Sequence, residues 1–201
     1  WVEGRHLGAE ASVSSVSIDS RTVAPGALFV ALRGERHDGH AHVAQAAERG
    51  AAAVLVHHPV DVDLPQVLCA DTEEALGELA AGLQRGRPAV VVALTGSNGK
   101  TSVKTLVLSI LSRAGKAFAT PGNFNNEIGL PLAVLEAPED ARFAIYEMGA
   151  GQPGRAGDAR VVHEAHQAER RHGTEFDAAV LHAVLPLQNA DVTPSSAARR
   201  L

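Results

Sequence analysis

The sequence predicts an α/β protein, with a small mixed α/β N-terminal domain followed by a truncated doubly wound parallel sheet. Three observations carry this. Short apolar runs ("ALFVAL", "AAVLV", "AVVVAL", "FAIY") read as buried strands, because strands covered on both faces need no alternation. Stretches with helix start and stop signals lie between them, and that strand–helix–strand order is the mark of a parallel sheet. Finally, "TGSNGKTS" joins an apolar run directly to a helical pattern.

In order, "VSSVSI" alternates as a strand, "DSRTVAPG" turns, and "ALFVAL" is the next strand. "HAHVAQAAERG" predicts a helix that stops at Gly50. "AAVLV" and "QVLCA" are two more short strands. "DTEEALGELAAGLQRG" is a helix with a start signal, since Asp71 can accept from the backbone and Glu74 lies three residues on. "RGRP" at 85–88 is the candidate linker, giving an N-terminal domain over 1–86 and a partial central domain over 87–154. In the latter, "AVVVAL" is a strand, 100–114 a helix, "AFAT" a strand, "LAVLEA" a short helix and "RFAIYEMG" a final buried strand. Phe143 and Met148 are expected in the core, and Cys69 as a buried small hydrophobe. Residues 155–201 differ: they hold four of the ten histidines, two Arg-Arg pairs and no lysine, and are expected to be poorly ordered.

With 45% hydrophobic and 20% charged residues, the composition is that of a soluble globular protein. A net charge of −5 without a basic cluster argues against nucleic-acid binding. One cysteine excludes a disulfide framework, and the apolar runs are too short to insert in a bilayer. No leader pattern opens the chain, so a cytoplasmic monomer is expected; Trp1 in place of Met suggests that the natural start lies upstream.

Backbone N–H groups of a glycine-rich turn, aimed from a helix N-terminus, bind phosphate. Gly96 and Gly99 allow the tight turn, Lys100 offers a point charge to outer phosphates, and Thr101 offers a hydroxyl to magnesium. The spacing departs from the general P-loop pattern, which places a glycine where Leu94 stands. Against it stands an ordinary strand-to-helix turn, which the strand and helix context disfavours. Glu147 closes a buried strand, where a carboxylate beside a phosphate loop would ligate magnesium. His37, His40 and His42 with Asp38 could form a metal cluster, but a substrate-facing loop explains them better.

"TGSNGKTSVKT", "PGNFNNEIGLPL" and "YEMGAGQPG", in that order after "SIDSRTVAPGALFVALRGERHDGH", resemble the Mur ligase family of ATP-dependent amide-bond-forming enzymes. The second half of the fold is then a P-loop ATP-binding domain. The fit is best to members that add D-alanyl-D-alanine to UDP-N-acetylmuramoyl-tripeptide, with Lys104 and the Asn-Asn pair favouring them over sisters that add diaminopimelate or lysine. The resemblance implies that Gly96, Ser97, Asn98, Gly99, Lys100, Thr101 and Ser102 hold ATP, with Lys100 catalytic. It implies that Thr101 and Glu147 bind Mg2+, and that Ser20, Arg21, Asp38 and His40 face the UDP-sugar. Asn123 and Asn126 would line the cleft between nucleotide and peptide. The implied reaction passes through an acyl phosphate, formed when the peptide carboxylate attacks ATP.

Beyond "GAGQPG" the resemblance stops: the family's carbamylated lysine, second metal site and C-terminal domain find no counterpart, and a shifted reading frame is expected. So is little or no ligase activity from this chain alone, with an unburied apolar face on its short sheet and an N-terminal domain that folds by itself. A non-catalytic UDP-sugar- or nucleotide-binding remnant therefore stays open as an alternative. The folate-polyglutamylating ligases share the loop but leave "DSR" and "DGH" unexplained.

Overall fold

The short apolar runs become the strands of two sheets in the computed structural model, which describes residues 2–34, 37–94, 99–122 and 124–148. The first holds β1 (Arg5–Leu7), β2 (Ser15–Ser17), β3 (Ala27–Val30), β4 (Ala53–Val56) and β5 (Gln66–Leu68), in the order β1-β5-β4-β3-β2. Strands β2 to β5 are parallel; β1 lies antiparallel on β5 with Arg5 opposite Leu68. β1 was not expected, because its three residues carry neither alternation nor an apolar run and owe their conformation to the β5 edge.

Alternate residues of the buried strands go to opposite faces, as the pleat requires. Phe29, Val54 and Val56 pack with Val43 and Ala46 of α1 (Val43–Glu48). Leu28, Val30, Ala53 and Leu55 pack with Ala75 and Leu76 of α2 (Thr72–Arg85). The helix predicted through "HAHVAQAAERG" opens as a 3-10 turn, Gly39–His42, because Asp38 caps it by accepting the His40 N–H. α2 starts as its sequence predicts: Asp71 Oδ1 accepts from the N–H groups of Glu73 (2.8 Å) and Glu74 (3.0 Å).

The second sheet is wholly parallel, β6 (Val90–Leu94), β7 (Ala117–Ala119) and β8 (Phe143–Glu147), in the order β6-β8-β7. Val92, Leu94 and Ile145 meet Val107, Leu108 and Leu111 of α3 (Lys100–Leu111). On the other face Ala144 and Tyr146 meet Ala80 and Ala81 of α2 and Leu130 and Val134 of α4 (Gly129–Glu136). Helices on both faces make it doubly wound. α3 stops three residues short of the predicted Ala114 because its end tightens into i→i+3 bonds, Arg113 N to Ile110 O and Ala114 N to Leu111 O. Val103, Leu106 and Ile110 form an exposed apolar row on its outer side.

The two sheets share α2. Its first half serves the first sheet and its second half the second, while Ile128, Leu132 and Leu135 reach from the α4 region into the first sheet's cluster. The "RGRP" stretch is no free tether, since Arg87 donates through Nη1 to the Val134 carbonyl and Tyr146 donates to Gln84 Oε1 at 2.9 Å. Burying Leu76, fully enclosed here, is worth about 1.5–3 kcal/mol by apolar transfer. Residues 155–201, with the expected frame shift and disorder, lie outside the described residues. No helix among the described residues is long and apolar enough to cross a membrane.

Candidate functional site

Ligands of parallel α/β sheets gather at the carboxyl ends of the strands. In the second sheet β6 leads at Leu94 into the loop whose Gly96, Ser97 and Asn98 lie outside the described residues. Gly99 re-enters at φ 76°, a left-handed conformation that a side chain would resist, and caps α3. Lys100 is half-buried as the first helical residue; Thr101 and Ser102 are exposed on the same first turn. The N–H groups of a helix's first turn find no partner within the helix, and together with the helix dipole they suit an anion.

β8 pairs with β6 in a register that sets Glu147 directly beside Leu94, the last strand residue before the loop. By the period of two, Glu147 shares the face of Ile145, which looks at α3. It is 3% exposed, and Thr120 steadies its backbone: Glu147 N–H donates to Thr120 Oγ1 (3.1 Å), and the Thr120 hydroxyl donates to Ile145 O (3.3 Å). Glu147 Oε1 accepts from Asn125 Nδ2 at 3.2 Å. Oε2 lies 3.0 Å from Lys104 Nζ in ionic contact and has no hydrogen bond among the described residues. A buried carboxylate oxygen with an unfilled lone pair, near a helix turn bearing a hydroxyl, fits a hard divalent cation such as Mg2+.

Of the three asparagines in "PGNFNNEIG", Asn123 lies outside the described residues. Asn126 is exposed and accepts the Gly129 N–H at 2.7 Å, so it opens α4. Its neighbour Asn125, not singled out from sequence, is the one that reaches Glu147. Gly129 is held small by packing, since a Cβ there would stand 2.8 Å from Phe124 Cα and Asn126 Oδ1.

The first sheet has its own strand-end cluster, formed where β2, β3 and β4 finish. After β2, the buried Ser20 donates its hydroxyl to Gln45 Oε1 at 2.7 Å. Exposed Arg21 grips Asp19 with two bonds, Nε to Oδ1 (2.9 Å) and Nη2 to Oδ2 (2.7 Å), and pulls that carboxyl down to about 2. After β3, Asp38 Oδ1 accepts both the His40 N–H (3.0 Å) and the ring Nδ1–H (2.7 Å), contacts that lower its pKa. His40 Nε2 accepts the His57 N–H at 3.0 Å, which fixes the proton on Nδ1. Burial pushes the pKa of His40 down against the opposing pull of Asp38.

His57 and His58, at the end of β4, complete this corner and were missed from sequence. Their ring centroids lie 4.1 and 4.4 Å from that of His40, and His58 Nδ1 is 3.2 Å from His57 Nε2. Nothing local in "VHHP" signals this; only the parallel pairing of β3 with β4 does it. The histidine group is thus His40, His57 and His58, not the His37, His40 and His42 weighed from sequence. Both ring nitrogens of His40 already have partners, so the group is a stack of rings and not an open set of ligands.

The chain is similar to proteins of the Mur ligase kind. The family description "Mur ligase family, catalytic domain" matches residues 12–90, and "Mur ligase middle domain" matches 94–184. UDP-N-acetylmuramoyl-tripeptide--D-alanyl-D-alanine ligase of Escherichia coli K12 is 47% identical over 153 residues, covering 76% of this chain and 34% of that protein. The same ligase of Bacillus subtilis 168 is 41% identical over 146 residues, 71% of this chain and 32% of that one. Among solved structures, MurF of Acinetobacter baumannii superposes with a TM-score of 0.71 at 37% identity, over 74% of this chain and 34% of that one. MurF of Thermotoga maritima in complex with ADP gives 0.65 at 32% identity, over 74% of this chain and 34% of that one. The chain spans about a third of the length of the curated relatives it matches. Two family descriptions in consecutive order, on a fold shared with solved members at more than 30% identity, show that this chain belongs to the Mur ligase family.

Proposed function

We propose that this chain carries the UDP-sugar and nucleotide portions of a ligase that adds D-alanyl-D-alanine to UDP-N-acetylmuramoyl-tripeptide at the expense of ATP. Residues 1–86 serve the UDP-sugar and 87–154 the nucleotide, in a cytoplasmic monomer. The observation that supports the reading is the register of Glu147 against Leu94: a buried carboxylate stands beside the strand residue that leads into the glycine-rich stretch. The ADP complex of the Thermotoga maritima relative and the names of the Escherichia coli and Bacillus subtilis relatives supply its substrates.

In this reading Gly96 to Ser102 cradle the phosphates, Lys100 faces the outer ones, and Ser20, Arg21, Asp38 and His40 face the UDP-sugar; Asn123 and Asn126 line the cleft. Thr101 and Glu147 hold Mg2+, which when bound neutralises charge on the phosphoryl group being transferred. The tripeptide carboxylate takes the γ-phosphoryl group and ADP leaves. The amine of D-alanyl-D-alanine then adds to the acyl phosphate and expels inorganic phosphate. Both steps build up negative charge, which the Lys100 ammonium on the first turn of α3 would offset.

Calorimetric titration of the folded chain with Mg-ATP and with the UDP-linked tripeptide tests the assignment. Saturable binding of both is expected, with Lys100→Ala weakening Mg-ATP and leaving the UDP-linked peptide unchanged. No heat with Mg-ATP, or a Lys100→Ala variant that binds as well as the parent, would remove the chemical basis of the proposal.

A further inference from the structure

Lys104 has no part in the proposed phosphate contacts, yet it is among the most enclosed charged groups of the described residues, at 6% exposure. It stands four positions after Lys100, so both lie on one stripe of α3, followed on that stripe by the buried-facing Val107, Leu108 and Leu111. An ammonium in that stripe replaces the apolar residue that core packing alone would choose, and burying it demands a partner. Its Nζ donates to the Gly122 carbonyl at 2.7 Å and lies 3.0 Å from Glu147 Oε2. That contact is ionic alone, and Oε2 keeps no hydrogen bond among the described residues.

Resting on the reading of Glu147 as a metal ligand, we propose that Lys104 is a resident counter-cation that competes with the divalent ion for Glu147. Without ligand it balances the buried carboxylate. A divalent ion arriving alone meets one carboxylate already neutralised by a neighbouring ammonium, and like charges at this range repel. Nucleotide phosphates reverse that balance by bringing negative charge of their own. Lys104 therefore makes metal entry conditional on the nucleotide. It is a positioning residue, acting on Glu147 and not on the reacting atoms, and the Gly122 carbonyl gives its ammonium a fixed anchor when Glu147 turns to the metal.

The probe is Mn2+, followed by electron paramagnetic resonance and by thermal melts of the 201-residue chain with and without ADP. The parent is expected to bind Mn2+ weakly alone and well with ADP. Lys104→Met should bind Mn2+ alone about tenfold more tightly, the scale of one removed neighbouring charge. It should melt lower than the parent in metal-free buffer and recover in millimolar Mn2+. Adding Glu147→Gln to Lys104→Met should restore the metal-free melt and abolish the gain in Mn2+ affinity. Lys104→Gln keeps a donor for the Gly122 carbonyl and repeats the test should the methionine variant fail to fold. If the Lys104 variants bind Mn2+ no more tightly than the parent while Glu147→Gln weakens Mn-ADP binding, the competition is refuted and the metal-ligand reading stands. If Glu147→Gln leaves Mn-ADP binding intact, Glu147 is no ligand and both fall together.

Discussion

The strand ends of the two sheets gather charge in opposite ways. At the first sheet the pairs are local and wet: Asp19 with Arg21 and Asp38 with His40 are each two residues apart, Arg21 and Asp38 are exposed and Asp19 is half-buried. At the second sheet Lys104 and Glu147 come from a helix and a strand far apart in sequence and meet at 8% and 3% exposure. A local, hydrated pair costs the fold little and stabilises it little. A buried pair is held in place by everything around it, and losing one partner strands the other. The first kind can rearrange freely, whereas the second parts only when a ligand replaces the contact that is lost.

The largest effect that could break this contrast is Lys104→Met. It should destabilise the metal-free chain by about 3–5 kcal/mol, because Glu147 is left buried without its counter-charge. Urea unfolding followed by circular dichroism measures it, and a change below 1 kcal/mol would place the pair with the surface kind. Next is Tyr146→Phe at the seam between the sheets. Losing the bond to buried Gln84 should cost about 1–3 kcal/mol and speed amide exchange in α4 and β8. Burial also pushes the Tyr146 phenol up to about 12 from 10.0, so its neutral form favours the fold. That contribution is complete below pH 10 and is lost as pH rises through 12; the variant should lack this alkaline limb.

A smaller step is Asp71→Ala, which removes the cap of α2 and should cost about 1 kcal/mol in a thermal melt. Because both sheets pack on α2, their unfolding should shift together; separate transitions would mean that the first sheet folds by itself, as its sequence suggested. Smallest is Arg21→Ala. The Asp19 carboxyl lies near 2 in the fold against its ordinary 3.8, so the pair's contribution is present above that value and fades as pH falls to about 2. Arg21 is exposed and Asp19 half-exposed, so the variant should lose only a slight acid-side dependence while neutral stability barely moves.

Much of this was legible because the signals are local. Apolar runs set the buried strands, Asp71 announced α2, and Gly99 before Lys100 marked the turn into α3. The place of Glu147 at the end of a buried strand was legible because an acidic residue closing an apolar run is conspicuous. Asn125 was passed over because which member of an Asn-Asn pair turns inward depends on the geometry that opens α4. His57 and His58 were missed because their meeting with His40 belongs to strand pairing and to no spacing in the chain.

By itself, then, the sequence determined the elements other than β1, the two-sheet α/β class and the residue types at each strand end, since propensity, patterning and turn chemistry act over a few neighbours. Tertiary structure alone decided that α2 serves both sheets, that Glu147 stands beside Leu94, and that Lys104 is buried against it. Those depend on strand register and on which helix face turns inward. Both are set by packing between segments that are distant along the chain.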